Sequence, residues 1–124
     1  MYTIRSCFSM LAICATVYAA EPSYAMLTCA REVRKMSLAD DTLFRDMLGG
    51  IGGAGFSDTV RYPKAKSRIV TKIEVIVPYD NVKTGIERWT IVHDGNQSTA
   101  YILYFVPDGR GGTKFGVKLD DRKN

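Results

Sequence analysis

The stretch RIVTKIEVIVP, residues 68–78, alternates apolar and polar side chains along most of its length and ends at a proline. An alternation with a period of two is typical of a β-strand with one buried face. Three further stretches continue the pattern towards the C-terminus: IERWTIVH at 86–93, TAYILYFV at 99–106 and TKFGVKL at 113–119. Because residues 99–106 are apolar on both faces, we expect this strand to lie in the middle of the sheet.

The connections between these stretches favour antiparallel pairing. Residues 94–96 (DGN) are a tight-turn sequence, and residues 107–112 (PDGRGG) form a longer turn that contains glycine. Residues 68–119 therefore predict a four-stranded antiparallel β-meander.

Helical periodicity replaces the alternation upstream, in residues 27–48. Apolar side chains recur every three residues from Leu27 to Met36, with charged residues on the other side. A second apolar stripe follows at Leu43, Phe44, Met47 and Leu48.

The boundary between the two stripes has a helix-start signal. Ser37 and Asp40 resemble a capping box, and Gly49-Gly50 would end the helix that begins there. We expect this N-terminal helical segment to pack on one face of the four-stranded antiparallel meander, which makes the fold class α+β. The side chains expected beneath the helices are Trp89, Tyr101 or Leu103, and Phe115.

The N-terminus has the composition of a secretory signal peptide. Arg5 gives a positive start, residues 7–20 (CFSMLAICATVYAA) are an apolar run, and Glu21-Pro22 follows. A membrane-spanning helix needs about 20 apolar residues, so this run is too short. We expect residues 1–19 to be removed, which leaves residues 20–124 as one periplasmic or secreted domain with no transmembrane anchor. The alternative is an uncleaved anchor or an N-terminal core helix.

Length and composition describe one globular domain. The chain has 124 residues, of which 46% are hydrophobic and 24% charged, and these values exclude a disordered chain or a multidomain enzyme. The net charge of +4 is too small to indicate nucleic acid as a partner. After cleavage Cys29 would be the one remaining cysteine, and we expect a buried, inert thiol, with an intermolecular disulfide or a reactive thiol as alternatives.

The sequence lacks a clear motif for a cofactor or a metal. Residues 50–55 (GIGGAG) match G-x-G-x-x-G, but a nucleotide site needs a strand before the motif, and here a helix precedes it. His93 is the only histidine, which argues against a histidine-rich metal site. We therefore expect no nucleotide, cofactor or metal.

Two features are candidates for a binding surface. Among the aromatic residues of the predicted sheet, Tyr104 is the one that we expect to be exposed. Residues 61–72 contain five basic residues and no acidic one, which fits a protein or an anionic envelope component as partner, or a solvated loop beside an edge strand. The basic residues are Arg61, Lys64, Lys66, Arg68 and Lys72.

Part of the C-terminal half resembles a group of known proteins. Residues 87–92 (ERWTIV), the aromatic strand 101–106, Pro107-Asp108-Gly109 and residues 111–115 (GGTKF) are similar to small exported proteins of Gram-negative bacteria. Because those proteins are mostly uncharacterised, the resemblance implies a compartment and a β-rich domain but no activity.

Together these patterns predict a small exported, non-catalytic protein that binds another macromolecule. The prediction depends on the absence of catalytic motifs and on a compact sheet with a basic margin. Two alternatives stay open at this point: a small secreted enzyme that uses Cys29 or His93, and a structural subunit of an envelope assembly.

The export hypothesis predicts a defined N-terminus. N-terminal sequencing of the protein recovered from cells should begin at Ala20, or at Met26 if the second candidate site after Ala25 is used. Recovery of a chain that begins at Met1 from a membrane fraction would contradict the signal-peptide hypothesis.

Overall fold

A computed structural model describes residues 25–53, 57–80 and 83–121, so the predicted signal peptide lies outside the described residues. One five-stranded sheet, curled into a half-barrel, dominates the structure. Its strands follow one another in chain order, and β1 runs parallel to β2 whereas the other neighbours are antiparallel. The strands are β1 Leu27–Cys29, β2 Arg68–Val77, β3 Gly85–His93, β4 Gln97–Pro107 and β5 Thr113–Leu119.

Three helices connect β1 to β2. They are α1 Arg31–Arg34, α2 Asp41–Gly52 and α3 Ser57–Arg61. The α2 helix begins after Asp40, whose carboxylate accepts a hydrogen bond from the N–H of Leu43 at 2.8 Å and so caps the first turn. No helix in the described ranges is long and apolar enough to cross a membrane.

The predicted α+β architecture, a helical segment on a four-stranded antiparallel meander, is wrong in two respects. Residues 27–29 form a strand instead of helix, which adds a fifth strand and makes the sheet mixed. The helical part is also smaller than predicted, since α1 has four residues. Over three residues, apolar spacing cannot separate a strand from a helix, and the pairing of Leu27 with Arg68 and of Cys29 with Val70 decides the outcome.

The four predicted strands occupy nearly the predicted ranges, but β2 has neighbours on both sides only at its start. β1 pairs with Arg68, Ile69 and Val70, so among the described strands residues 71–77 have a neighbour on the β3 side alone. Register shifts interrupt the β2–β3 ladder between Val70 and Lys72 and again between Val75 and Val77. The end of β2 is exposed at Val75, Ile76 and Val77.

The segment between α1 and α2 is held by a buried carboxylate rather than by a capping box. Glu87 on β3 is 1% exposed and accepts hydrogen bonds from the Ser37 hydroxyl at 2.8 Å, the Leu38 N–H at 2.8 Å and the Trp89 indole N–H at 2.9 Å. The Ser37 side chain is thereby committed to β3. Three donors satisfy this buried charge, which fixes the entry to α2 against the sheet.

The predicted end of α2 at Gly49-Gly50 is also wrong, because the helix continues to Gly52. Gly50 lies against the ring of Phe115, and a Cβ atom at this position would come within 2.7 Å of that ring. This glycine therefore permits close packing of helix and sheet inside the helix instead of ending it.

The hydrophobic core lies between α2 and one face of the sheet, which we call the inner face. The burial of Trp89, Tyr101 and Leu103 under the helix is confirmed, each being 0% exposed, and Phe115 packs at the edge of this core. The rings of Phe44 and Trp89 are 4.9 Å apart between centroids. The α2 side chains that enter the core are Leu43, Phe44, Met47 and Ile51.

Replacement of Phe44 by alanine tests the contact between helix and sheet. Phe44 is 5% exposed, so Phe44→Ala should lower the free energy of unfolding by about 3–5 kcal/mol through lost burial and the cavity that remains. Urea unfolding measures the change, with Met36→Ala as control, since Met36 is 53% exposed and should change stability by less than about 0.5 kcal/mol. Similar losses in both variants would contradict this packing.

Candidate functional site

A cluster of polar side chains is buried where α3 meets the inner face of the sheet. The Asp58 carboxylate on α3 contacts a guanidinium nitrogen of Arg68 at 3.0 Å, Nε2 of His93 at 2.8 Å and the Tyr101 hydroxyl at 2.5 Å. All four residues are at most 1% exposed. Strand alternation produces the cluster, because Arg68 pairs with His93 across β2 and β3 and both side chains point inwards.

The guanidinium of Arg68 connects the cluster to the surrounding chain. It donates to the Gly52 carbonyl at 2.8 Å, to the Ala25 carbonyl from Nε at 2.9 Å, and to the Thr59 hydroxyl at 3.0 Å. The donors of a buried arginine are thus shared among the end of α2, the start of α3 and the segment before β1. Such extensive hydrogen bonding is the condition under which a buried charge is tolerated.

His93 and Tyr101 complete the coordination of the Asp58 carboxylate. Burial, followed by the hydrogen bond and negative charge of Asp58, raises the pKa of Tyr101 far above its ordinary value, so the phenol stays protonated and donates. The ring of Tyr62 stacks on His93 at 3.8 Å between centroids. Within the described part of the chain, His93 Nδ1 is a buried atom without a hydrogen-bond partner.

The cluster contains residue types found in acid–base catalysis, but its geometry suits a structural role. Every member is packed away from solvent, and a general acid or base must reach a substrate atom within hydrogen-bond distance. The described residues also include no group of three or more histidine, cysteine or acidic side chains that could hold a metal ion. The arrangement therefore holds elements together, and this interpretation needs no ligand.

Cys29 is the other residue of the enzymatic alternative, and its surroundings do not activate the thiol as a nucleophile. Its thiol is half-buried, contacts its neighbour's carbonyl at 3.5 Å, and burial raises its pKa, which disfavours the thiolate. Cys29 lies on β1 and pairs with Val70 on β2, whereas His93 lies on β3. One strand, β2, therefore separates Cys29 from His93, which places them about 10 Å or more apart. The structure does not bring this pair together.

The predicted basic segment divides into a buried and an exposed part. Arg68 is 1% exposed and belongs to the buried cluster, so it does not contribute to a surface. Lys72 is exposed and its ammonium lies 3.7 Å from the Glu74 carboxylate. The other four basic residues are exposed, and their role as a binding surface remains a prediction: Arg61, Lys64, Lys66 and Lys72.

The face of the sheet opposite the helices, the outer face, presents apolar side chains. β4 directs Ala100, Ile102, Tyr104 and Val106 outwards, since their neighbours Tyr101, Leu103 and Phe105 point into the core. The predicted exposed aromatic, Tyr104, is half-buried there between Ile86 on β3 and Gly116 on β5. A depression of about 250 Å³ adjoins it, and Ile76, Ile86 and Ile102 are among the residues of its wall.

Charged residues flank this apolar row, and they differ between the two sides. Arg88 on β3 bridges Glu74 on β2 at 3.1 Å and, across β4, Asp120 after the end of β5 at 2.5 Å, so two carboxylates share one guanidinium. Towards the free side of β5, Lys114 and Lys118 are exposed and form no ion pair with a described residue, while the Lys118 ammonium lies 5.8 Å from the Tyr104 ring centroid. The outer face therefore has apolar side chains on β4, two lysines along β5, and two aspartates, Asp120 and Asp121, at the end of β5 beside the depression.

Sequence reasoning missed Asp58, the roles of Arg68 and Tyr101, and the outer row of β4. A usable signal was present for Arg68 and for its cross-strand partner His93, because both occupy the same parity as the buried positions of their strands. A polar residue at such a position needs a partner. Asp58 lacked any signal, since its helix follows a glycine-rich stretch and has five residues.

The buried cluster predicts a large stability loss when its carboxylate is removed. Asp58→Asn leaves the Arg68 charge buried without its counter-ion, so the free energy of unfolding should fall by about 3–5 kcal/mol. Asp46→Asn, on an exposed position of α2, is the matched control and should stay within about 0.5 kcal/mol in urea unfolding. A loss below about 1 kcal/mol for Asp58→Asn would show that the ion pair does not secure the fold.

Comparison of the chain with protein-family models, with curated proteins and with solved structures gives no match.

Proposed function

We propose that the chain is a non-catalytic binding protein of the cell envelope or extracellular space, and that its outer sheet face docks another protein. The observation that carries this proposal is the outward row of β4, which faces away from the described helices and carries the half-buried Tyr104 and the exposed Val106. Antiparallel sheets commonly bury one face and leave the other polar towards water. Here the outward row contains three aliphatic side chains and one tyrosine: Val106 is 43% exposed, Ala100 and Tyr104 are half-buried, and Ile102 is buried.

The apolar row gives a physical reason for association. Removal of apolar surface from water is favourable, and contiguous exposed apolar patches rimmed by polar residues are typical of interaction surfaces. Tyr104 suits the centre of such a surface, since a tyrosine combines a large apolar ring with a hydroxyl that can hydrogen-bond to a partner. The neighbouring depression beside Ile86 offers a place for a partner side chain.

The charges on this face determine the kind of partner. Lys114 and Lys118 lack an ion pair within the described residues, whereas Glu74 and Asp120 both pair with Arg88. A complementary surface would have apolar side chains opposite β4 and carboxylates opposite β5. An anionic polymer supplies charge alone and would leave the apolar row in water, so a protein with an acidic margin fits better.

Catalysis has less support. The enzymatic alternative needs Cys29 or His93, and the former has a raised thiol pKa while the latter is 0% exposed. A structural subunit of an assembly would use the same face to pack against a second copy of the chain, and the experiment below separates that case.

Site-specific photo-crosslinking tests the location of the docking surface. A photoreactive amino acid at position 104 should crosslink one defined protein in intact cells, because the side chain lies within the proposed contact. The same amino acid at position 60 is the control. Val60 is 64% exposed and lies on α3, which is on the opposite side of the sheet from the outer face. Equal crosslinking at both positions, none at 104, or crosslinks to a second copy alone would overturn the proposal.

Charge reversal with the purified partner then tests the proposed rim. Lys114→Glu/Lys118→Glu should weaken binding at least about ten-fold and slow association, and added salt should weaken the wild-type complex in the same direction. Lys64→Glu/Lys66→Glu changes the net charge equally on the basic segment and should leave the affinity unchanged. The reverse result would assign binding to the basic segment instead of the outer face.

A further inference from the structure

A cleft of about 500 Å³ lies between the second half of α2 and β1, away from the outer face. Its walls contain three apolar side chains, Met26, Leu27 and Leu48, and one charged residue, Arg45. Three glycines in or just after the last turn of α2 complete the lining. The volume is within the range of about 300–1,000 Å³ that is usual for small-molecule sites. Water in such a cleft finds few hydrogen-bond partners, so an apolar ligand would displace it favourably.

The apolar wall continues to the protein surface. Met26 is 77% exposed, which is unusual for a large apolar side chain and leaves it free to cover a ligand. Leu48 is half-buried and packs against the core from the same side. The cleft thus provides a continuous apolar surface from the interior towards solvent.

A single positive charge marks its opening. Arg45 precedes Leu48 and Gly49 by three and four positions, so the three residues share one face of α2. The Arg45 side chain is exposed and forms no ion pair or hydrogen bond with a residue that the structure describes. Its guanidinium is therefore available for a carboxylate, which it can bind with two parallel hydrogen bonds.

We propose that this cleft binds a single-chain carboxylate amphiphile, with the alkyl chain against Leu27 and Leu48 and the carboxylate on Arg45. The combination of a long apolar wall with one cation at the mouth is complementary to this chemistry. A neutral alkyl ligand would leave the guanidinium unused, and a polyanion would leave the apolar wall in water.

Gly49 offers a sharp way to block the cleft. Gly49 lines the cleft, and a Cβ atom there meets no heavy atom within 4 Å, so the position has room to begin a larger side chain such as leucine. Leucine also has a higher helix propensity than glycine, which protects folding. Gly52 does not offer this, because a Cβ atom there would lie 2.6 Å from Leu27 Cβ.

Calorimetric titration with dodecanoate tests the ligand class. The wild-type protein should bind dodecanoate saturably, and each methylene removed from the chain should weaken binding about four-fold, because each buried methylene contributes about 0.8 kcal/mol. Arg45→Gln should weaken dodecanoate binding at least ten-fold and leave the binding of dodecanol unchanged. Arg31→Gln, an exposed arginine on α1, is the control and should bind both ligands as wild type does.

The cleft-filling variant tests the location. Gly49→Leu should abolish binding of dodecanoate and dodecanol and keep a thermal midpoint at or above that of wild type, whereas Gly49→Ala should bind both ligands. Wild-type protein that shows no saturable dodecanoate binding would overturn the proposal, including the case in which the chain's own N-terminal residues fill the cleft. Unchanged binding in a folded Gly49→Leu protein would overturn the location and with it the proposal.

Discussion

The buried guanidinium of Arg68 is the interaction on which the arrangement of helices and strands depends. β1 has three residues and α3 has five, and elements of this length are not stable by themselves in water. The Arg68 side chain connects both to the sheet, through the Ala25 carbonyl before β1 and through Asp58 on α3. A guanidinium buried at this depth needs a hydrogen-bond acceptor for each of its donors, since each missing partner would leave a desolvated donor. The same network therefore specifies where three chain segments meet.

Glu87 performs the corresponding task at the other end of the inner face. Its carboxylate accepts hydrogen bonds from Ser37 and Leu38, which lie between α1 and α2, and from the indole N–H of Trp89. Two oppositely charged residues on neighbouring strands thus secure the two irregular parts of the helical layer. The core and both of these buried polar clusters lie on the inner face, whereas the outer face carries the ion pairs of Arg88 with Glu74 and Asp120. The surface that we propose for association lies on this outer face, and the cleft beside Arg45 lies between α2 and β1.

Local pattern predicted the strands well and the helical layer poorly, and the reason is the range of the interactions involved. Two-residue alternation over 68–77 is a property of the stretch itself, and it placed β2 at its observed ends. Leu27 forms strand because it pairs with Arg68, forty-one positions away, which no local pattern contains. Arg68 was assigned to a basic surface because only its charge was considered. Its position on the inward-facing side of the strand alternation was not taken into account. The outer face was missed because the apolar character of 99–106 on both sides was attributed to a central position alone.

The short length of β1 has a consequence for the behaviour of the chain in concentrated solution. Beyond Val70, β2 offers backbone groups along one flank, and its last residues are branched and apolar, a combination that favours templated stacking of like chains. The register shifts on both sides of residues 72–75, together with the charge of Lys72, divide this flank into pieces too short and too twisted for a regular stack. A valine in place of Lys72 would be compatible with the sheet and would still favour fibrillar deposits.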